Sequence, residues 1–292
     1  MKNMNFEEKM RLYIDAVNSE LERALDKYAP KNVLVSEAMR YSLLAPGKRI
    51  RPVLALAGAE ALGGDTKEAL LYGCALEMIH TYSLIHDDLP CMDDDTLRRG
   101  IPTCHVKFGE AYALLAGDAL LTLAFEYAAK ESKNAQDAVR YIANLASCAG
   151  ISGMVGGQTD DIRAESERAD IKTLYSIHAR KTGALINAAG IGASIAAGKD
   201  ESTMLPYTKS LGLAFQIKDD ILDVEGDEAL LGKTIGKDEK SEKSTFVTLL
   251  GLEKAKEELS KETGKAIAYC ESFGEKGEFL KELALYLLER QN

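Results

Sequence analysis

Apolar residues recur three and four positions apart along most of the chain, as in Leu70, Leu71, Cys74, Ala75, Met78 and Ile79. That period marks helices that bury one face. It predicts helices near 6–28, 36–44, 52–62, 66–87, 109–130, 135–156, 171–197, 203–223, 245–257, 260–272 and 276–289. No run of alternating β-branched residues argues for a strand. Five of the six prolines fall within the first 102 residues, so the remainder is almost free of helix breakers. Breaks are expected at Gly63-Gly64 and Gly156-Gly157. The polar stretch 225–243, rich in charge and poor in apolar anchors, reads as a long loop. No repeat or low-complexity tract interrupts the pattern. The expectation is one all-α domain over 1–292.

Composition narrows the functional classes. The chain is 46% hydrophobic and 28% charged, enough to bury a core. A net charge of −10 argues against nucleic-acid binding, which needs a basic surface. Five cysteines without CxxC spacing read as reduced thiols of a cytoplasmic protein. The polar N-terminus, MKNMNFEEKM, does not resemble a signal peptide. The apolar stretches 111–129 and 183–198 fall short of a membrane span: the first carries Asp118 and Glu126, and the second is short and made mostly of Ala and Gly.

Charge is concentrated in two places. Residues 84–102 read LIHDDLPCMDDDTLRRGIP, with Asp87, Asp88, Asp93, Asp94 and Asp95 followed by Arg98 and Arg99. His80, Ser83 and Asp87 share a helix face. Pro90 ends the regular helix and lets Asp93 to Asp95 fold back toward Asp87. Residues 216–223 read QIKDDILD, which lines Gln216, Asp219, Asp220 and Asp223 along one side of a helix. GGQTDD at 156–161 forms a third acidic patch. A single acidic run is usually a solvated face. Two such runs beside apolar helices are costly unless cations lie between them. Oxygen ligands without thiols point to Mg²⁺ or Mn²⁺, and Mg²⁺ commonly bridges carboxylates to phosphates. Basic residues stand ready for those phosphates: Lys48, Arg49 and Arg51 in PGKRIRP, then Arg98 and Arg99, Lys181 in ARKTG, and Lys233, Lys237 and Lys243.

DDLPCMDDDTLRRG, DDILD, GKRIRP, GGQTDD and KTG, an ordered set between about residues 40 and 250, resemble the trans-prenyl diphosphate synthases, above all the bacterial farnesyl type. The resemblance implies a helical bundle around a deep central cavity, usually a homodimer. It also implies head-to-tail condensation of isopentenyl diphosphate with an allylic diphosphate. By the same resemblance Asp87, Asp88 and Asp93 bind Mg²⁺, as do Asp219 and, nearby, Asp220 and Asp223, with about three ions per site. Lys48, Arg51, His80 and Arg99 hold isopentenyl diphosphate. Arg98, Lys181, Lys233 and Lys243 grip the allylic diphosphate. The Lys181 and Thr182 carbonyls and the Gln216 side chain face an allylic cation. Tyr82, with Ser83 beside it, limits product length. The chain departs from the family at Cys91 and at its end, LLERQN, where many relatives carry a basic tail.

Other readings remain. An HD-type phosphohydrolase is also all-α, but it needs dispersed imidazole ligands, and only four histidines are present. A regulatory subunit would not need both aspartate motifs. Geranylgeranyl synthesis and terpene cyclisation share the fold; cyclases generally lack the second diphosphate site that GKRIRP suggests.

Overall fold

A computed structural model describes residues 4–225 and 244–289. It is almost entirely helical. The chain runs through α1 (Phe6–Tyr28), α2 (Leu34–Leu43), α3 (Ile50–Ala61) and α4 (Thr66–Asp87). A short antiparallel hairpin, β1 (Leu97–Arg98) and β2 (Ile101–Pro102), precedes α5 (Cys104–Phe108). Then come α6 (Glu110–Glu131), α7 (Ala135–Ala149), α8 (Met154–Ser166), α9 (Ile171–Lys181), α10 (Gly183–Ala196) and α11 (Leu205–Glu225). The described part closes with α12 (Phe246–Leu250), α13 (Leu252–Cys270), a 3₁₀ turn and α14 (Glu278–Glu289).

Local sequence explains where the helices begin. Asn5 and Glu8 form a reciprocal capping box at α1. Asp65 accepts from the Lys67 and Glu68 backbones at α4, and Asp170 from that of Thr173 at α9. The structure matches the expected bounds of α1 and α4 and differs elsewhere. The segment 135–156 is not one helix: the break falls at 150–153, and Gly156-Gly157 lie inside α8. Gly157 serves packing instead, since a Cβ there would stand 2.2 Å from the Lys181 backbone nitrogen. The expected 171–197 helix is interrupted at Thr182, and the break near 258 lies at Gly251. The stretch 226–243, with Lys233 and Lys243, lies outside the described residues.

α4 organises the bundle. It packs against α3, α6 and α10, and buried residues occur all round it. A helix apolar on every side belongs in a core. Its Glu68 holds the α6–α7 connection through Ser132 and Lys133. Glu77, farther along, is buried with Arg49, which stands just ahead of α3 in a left-handed conformation. Arg49 Nη1 donates to Glu77 at 2.9 Å. Its other nitrogens donate to Asn18 and to the carbonyls of Leu43 and Ala45. α6 is long and apolar enough to cross a membrane by length and composition, contrary to the sequence expectation. Its inner face nonetheless packs against α4, and Asp118 and Glu126 lie on its exposed side.

The Arg49 pair carries a stability prediction. Breaking a buried ion pair by removing one partner costs roughly 3–5 kcal/mol, because a charge stays buried without compensation. Urea denaturation of Arg49→Met should show a loss of that order. Adding Glu77→Met should recover much of it. A single variant that loses less than about 1 kcal/mol would contradict this role.

Candidate active site

The site forms where α4 ends. Pro90 stops the helix, and the chain doubles back so that the Asp93 backbone nitrogen donates to the Asp87 carbonyl at 2.9 Å. The Asp94 nitrogen likewise reaches the Leu89 carbonyl. The expected return of the second half of the motif toward the first is therefore present. Burial pushes the Asp87 carboxyl up to about 6; Asp93 and Asp88 push the same way, against Lys181 and Arg98. Asp87 and Asp93 form no side-chain hydrogen bond or ion pair among the described residues.

The hairpin places the arginines. Arg99 and Gly100 form its two-residue turn, both with positive φ. That is the geometry a right-twisted ribbon favours. Arg98 turns to Asp88, which is only 3% exposed, and grips it with Nε at 2.8 Å and Nη2 at 2.5 Å. Arg98 and Asp88 were expected on the allylic diphosphate and a metal; here they neutralise each other. Arg99 reaches the other way, to the Pro46 carbonyl at 3.0 Å, over Gly47. Beside the hairpin lies a pocket bordered by Thr81, Leu84, Asp88, Arg98, Arg99 and Cys104.

Arg51 and His80 stand together. Burial lowers the Arg51 guanidinium to about 10; Glu77 and Asp219 act against this, and Arg99 with it. Its buried Nε has no hydrogen-bond partner. Burial, reinforced by Arg51, Arg99, Arg98 and Arg49, holds His80 well below its ordinary range, so it is neutral. Lys48, nearby in sequence, is half-buried. Of the basic run 48–51, Arg49 belongs to the core.

The second motif is divided in the same way. Gln216 donates from Nε2 to Asp219 at 3.3 Å, and its Oε1 lies 3.1 Å from His178 Nδ1. Asp220 accepts at Oδ2 from the Phe246 backbone nitrogen at 2.7 Å, holding the start of α12. Asp223 is buried. Lys181 donates to Asp161 at 2.5 Å across the α8–α9 contact, and Thr182 sits in the break between α9 and α10. Among the described residues no group of three His, Cys, Asp or Glu side chains is already assembled to hold a metal. Tyr82 is buried on the Asp87 helix, its ring edge-on to His86 at 5.7 Å. Ser83 donates to the His80 carbonyl. Sequence reasoning passed over His178, whose placement three residues before Lys181 on α9 was the available signal.

Fold and site together define an almost entirely helical enzyme in which a desolvated acidic cluster ends the helix that also carries His80, with Arg51 beside it. The chain belongs to the polyprenyl synthetase family, which it matches over residues 32–283. It is 44% identical to the farnesyl diphosphate synthase of Micrococcus luteus over 97% of this chain and 99% of that one. It is 46% identical to the geranylgeranyl diphosphate synthase of Cyanophora paradoxa, over 93% of each. The crystal structure of an FPP/GFPP synthase from Zymomonas mobilis superposes with a TM-score of 0.86 at 35% identity, covering 97% and 99% of the two chains.

The raised Asp87 gives a pH prediction. Its folded pKa of about 6 lies above the ordinary 3.8. The stability tied to its protonated form is therefore present at low pH and lost as pH rises from about 4 to about 6. In thermal unfolding with a chelator present, Asp87→Asn should be more stable than the parent at pH 7, by at most about 3 kcal/mol. The difference should vanish near pH 4. Equal stability at both pH values would show that the carboxylate is not desolvated.

Proposed function

We propose that this single-domain chain, spanning 1–292, joins isopentenyl diphosphate head-to-tail to dimethylallyl and geranyl diphosphate, giving farnesyl diphosphate. One observation carries the reading: Arg51 is a buried guanidinium with an open Nε, set beside neutral His80 and Arg99. That Nε lacks an acceptor, Glu77 being paired with Arg49, and a diphosphate oxygen supplies one. The similarity to the Micrococcus luteus enzyme, 44% over nearly the whole chain, supports the product.

In this reading Lys48, Arg51, His80 and Arg99 hold isopentenyl diphosphate. Asp87, Asp93 and Asp219 are the oxygen ligands for Mg²⁺, with Asp88, Asp220 and Asp223 supporting them through Arg98, α12 and burial. The donor set fits hard cations, and the desolvated Asp87 gains from a positive neighbour. When bound, the metal supplies Lewis-acid help to the leaving diphosphate. Lys181, held by Asp161, and Arg98 lie beside the allylic end, with Lys233 and Lys243 assigned there by sequence. The Lys181 and Thr182 carbonyls and the Gln216 amide face the allylic cation. The isopentenyl double bond attacks C1 of that cation, and the departed diphosphate accepts the proton released as the new double bond forms. Apolar walls keep water from the cation. Exposed Tyr112, Leu114 and Leu115 on α6 support pairing with a second copy. Free thiols at all five cysteines support a reducing, cytoplasmic setting.

Incubation with isopentenyl and geranyl diphosphates plus Mg²⁺, followed by chromatography of dephosphorylated products, should yield farnesol. Release of phosphate without a longer alcohol would refute the reading. Arg51→Ala should raise the KM for isopentenyl diphosphate about ten- to a hundredfold while sparing the allylic KM. Tyr82→Ala should open space for a further isoprene unit, whose buried methylene-sized groups each gain roughly 0.8 kcal/mol. Its products should run beyond farnesol; a profile still ending there would remove Tyr82 from the role.

A further inference from the structure

We propose that His178 is a positioning residue that fixes which end of the Gln216 amide meets the allylic cation. The inference rests on the reading above that Gln216 faces that cation.

A primary amide has a negative oxygen end and a positive NH₂ end. Beside a carbocation the two ends have opposite effects, so a freely rotating glutamine would be a poor stabiliser. Here the amide is held from both sides. The NH₂ end points at the Asp219 carboxylate at 3.3 Å. The oxygen end therefore points at His178, 3.1 Å away, and His178 donates from Nδ1. One lone pair of Oε1 is engaged in this way, and the other remains for the cation. Asp219 is also a candidate metal ligand, so its hold on the NH₂ end competes with that duty. The Nδ1 donor is the contact that keeps the amide in one orientation when Asp219 is otherwise engaged.

The imidazole is itself well supported. Its ring stacks on Phe246 with centroids 5.4 Å apart and planes 16° from parallel. Phe246 is fully buried, and its backbone nitrogen is tied to Asp220. The Asp220 carboxylate lies 3.8 Å from His178 Nε2. A histidine whose ring plane is fixed by stacking on a buried phenylalanine presents Nδ1 along one line. That arrangement suits orientation rather than proton transfer, and the condensation needs no proton from this position.

The test uses two probes of one chain length, each with Mg²⁺: geranyl thiolodiphosphate, which is neutral at the reacting carbon, and a diphosphate carrying a protonated amine there. His178→Phe keeps the stacking surface and loses the donor. It should melt near the parent temperature and bind the ammonium probe about tenfold more weakly, with the thiolodiphosphate unchanged. His178→Asn places an N–H close to the Nδ1 position and should restore the ammonium affinity; His178→Gln, which reaches toward Nε2, should not. Equal loss for both probes, or equal behaviour of Asn and Gln, would overturn the proposal and leave His178 a packing residue. Gln216→Leu separates the two levels. If it lowers ammonium affinity and His178→Phe does not, the positioning role alone fails. If Gln216→Leu leaves the ratio of the two affinities unaltered, the underlying placement of Gln216 fails, and the proposal with it.

Discussion

The central constraint is that carboxylates are held at the end of a helix buried on every side. α4 is held by apolar packing along its length, and Asp87 is its last residue. Low dielectric penalises the charge, and the negative end of the helix dipole adds to the penalty. The helix is supported elsewhere: its start is capped by Asp65, and Glu77 is answered by Arg49. The result is a carboxylate that gains by meeting a cation. A surface aspartate, well hydrated, would gain far less.

Charge around this point is sorted into two kinds. Some groups are neutralised by protein: Arg49 by Glu77, Arg98 by Asp88, and Lys181 by Asp161. Arg51 keeps an open Nε, while Asp87 remains without an ion pair among the described residues. Neutralised pairs give the site its shape. The groups left over set its chemistry, with basic and acidic members on neighbouring turns of the same bundle.

Much of this was legible in the sequence, for identifiable reasons. α4 lies at its expected bounds, and Pro90 marks its end with chemistry that acts locally. The folding back of Asp93 followed from the same proline. Gly156-Gly157 misled because a glycine that admits a neighbouring backbone looks the same, in sequence, as one that ends a helix. The break at Thr182 was invisible because the apolar period continues through it. Strands of two residues are too short to show alternation, so the hairpin was missed. The pairing of Asp88 with Arg98, and of Asp220 with the Phe246 backbone, joins segments whose approach only the tertiary fold decides.

The hairpin has an effect on evolvability. Its tight turn sends adjacent arginines in opposite directions, one to Asp88 and one over Gly47. Arg98 is a strand residue and Arg99 a turn residue, so inserting or deleting one residue in this loop would disturb the register that keeps Arg98 on Asp88 and the reach of Arg99 to the Pro46 carbonyl together. The loop can vary in composition, but its length is locked to both sites at once.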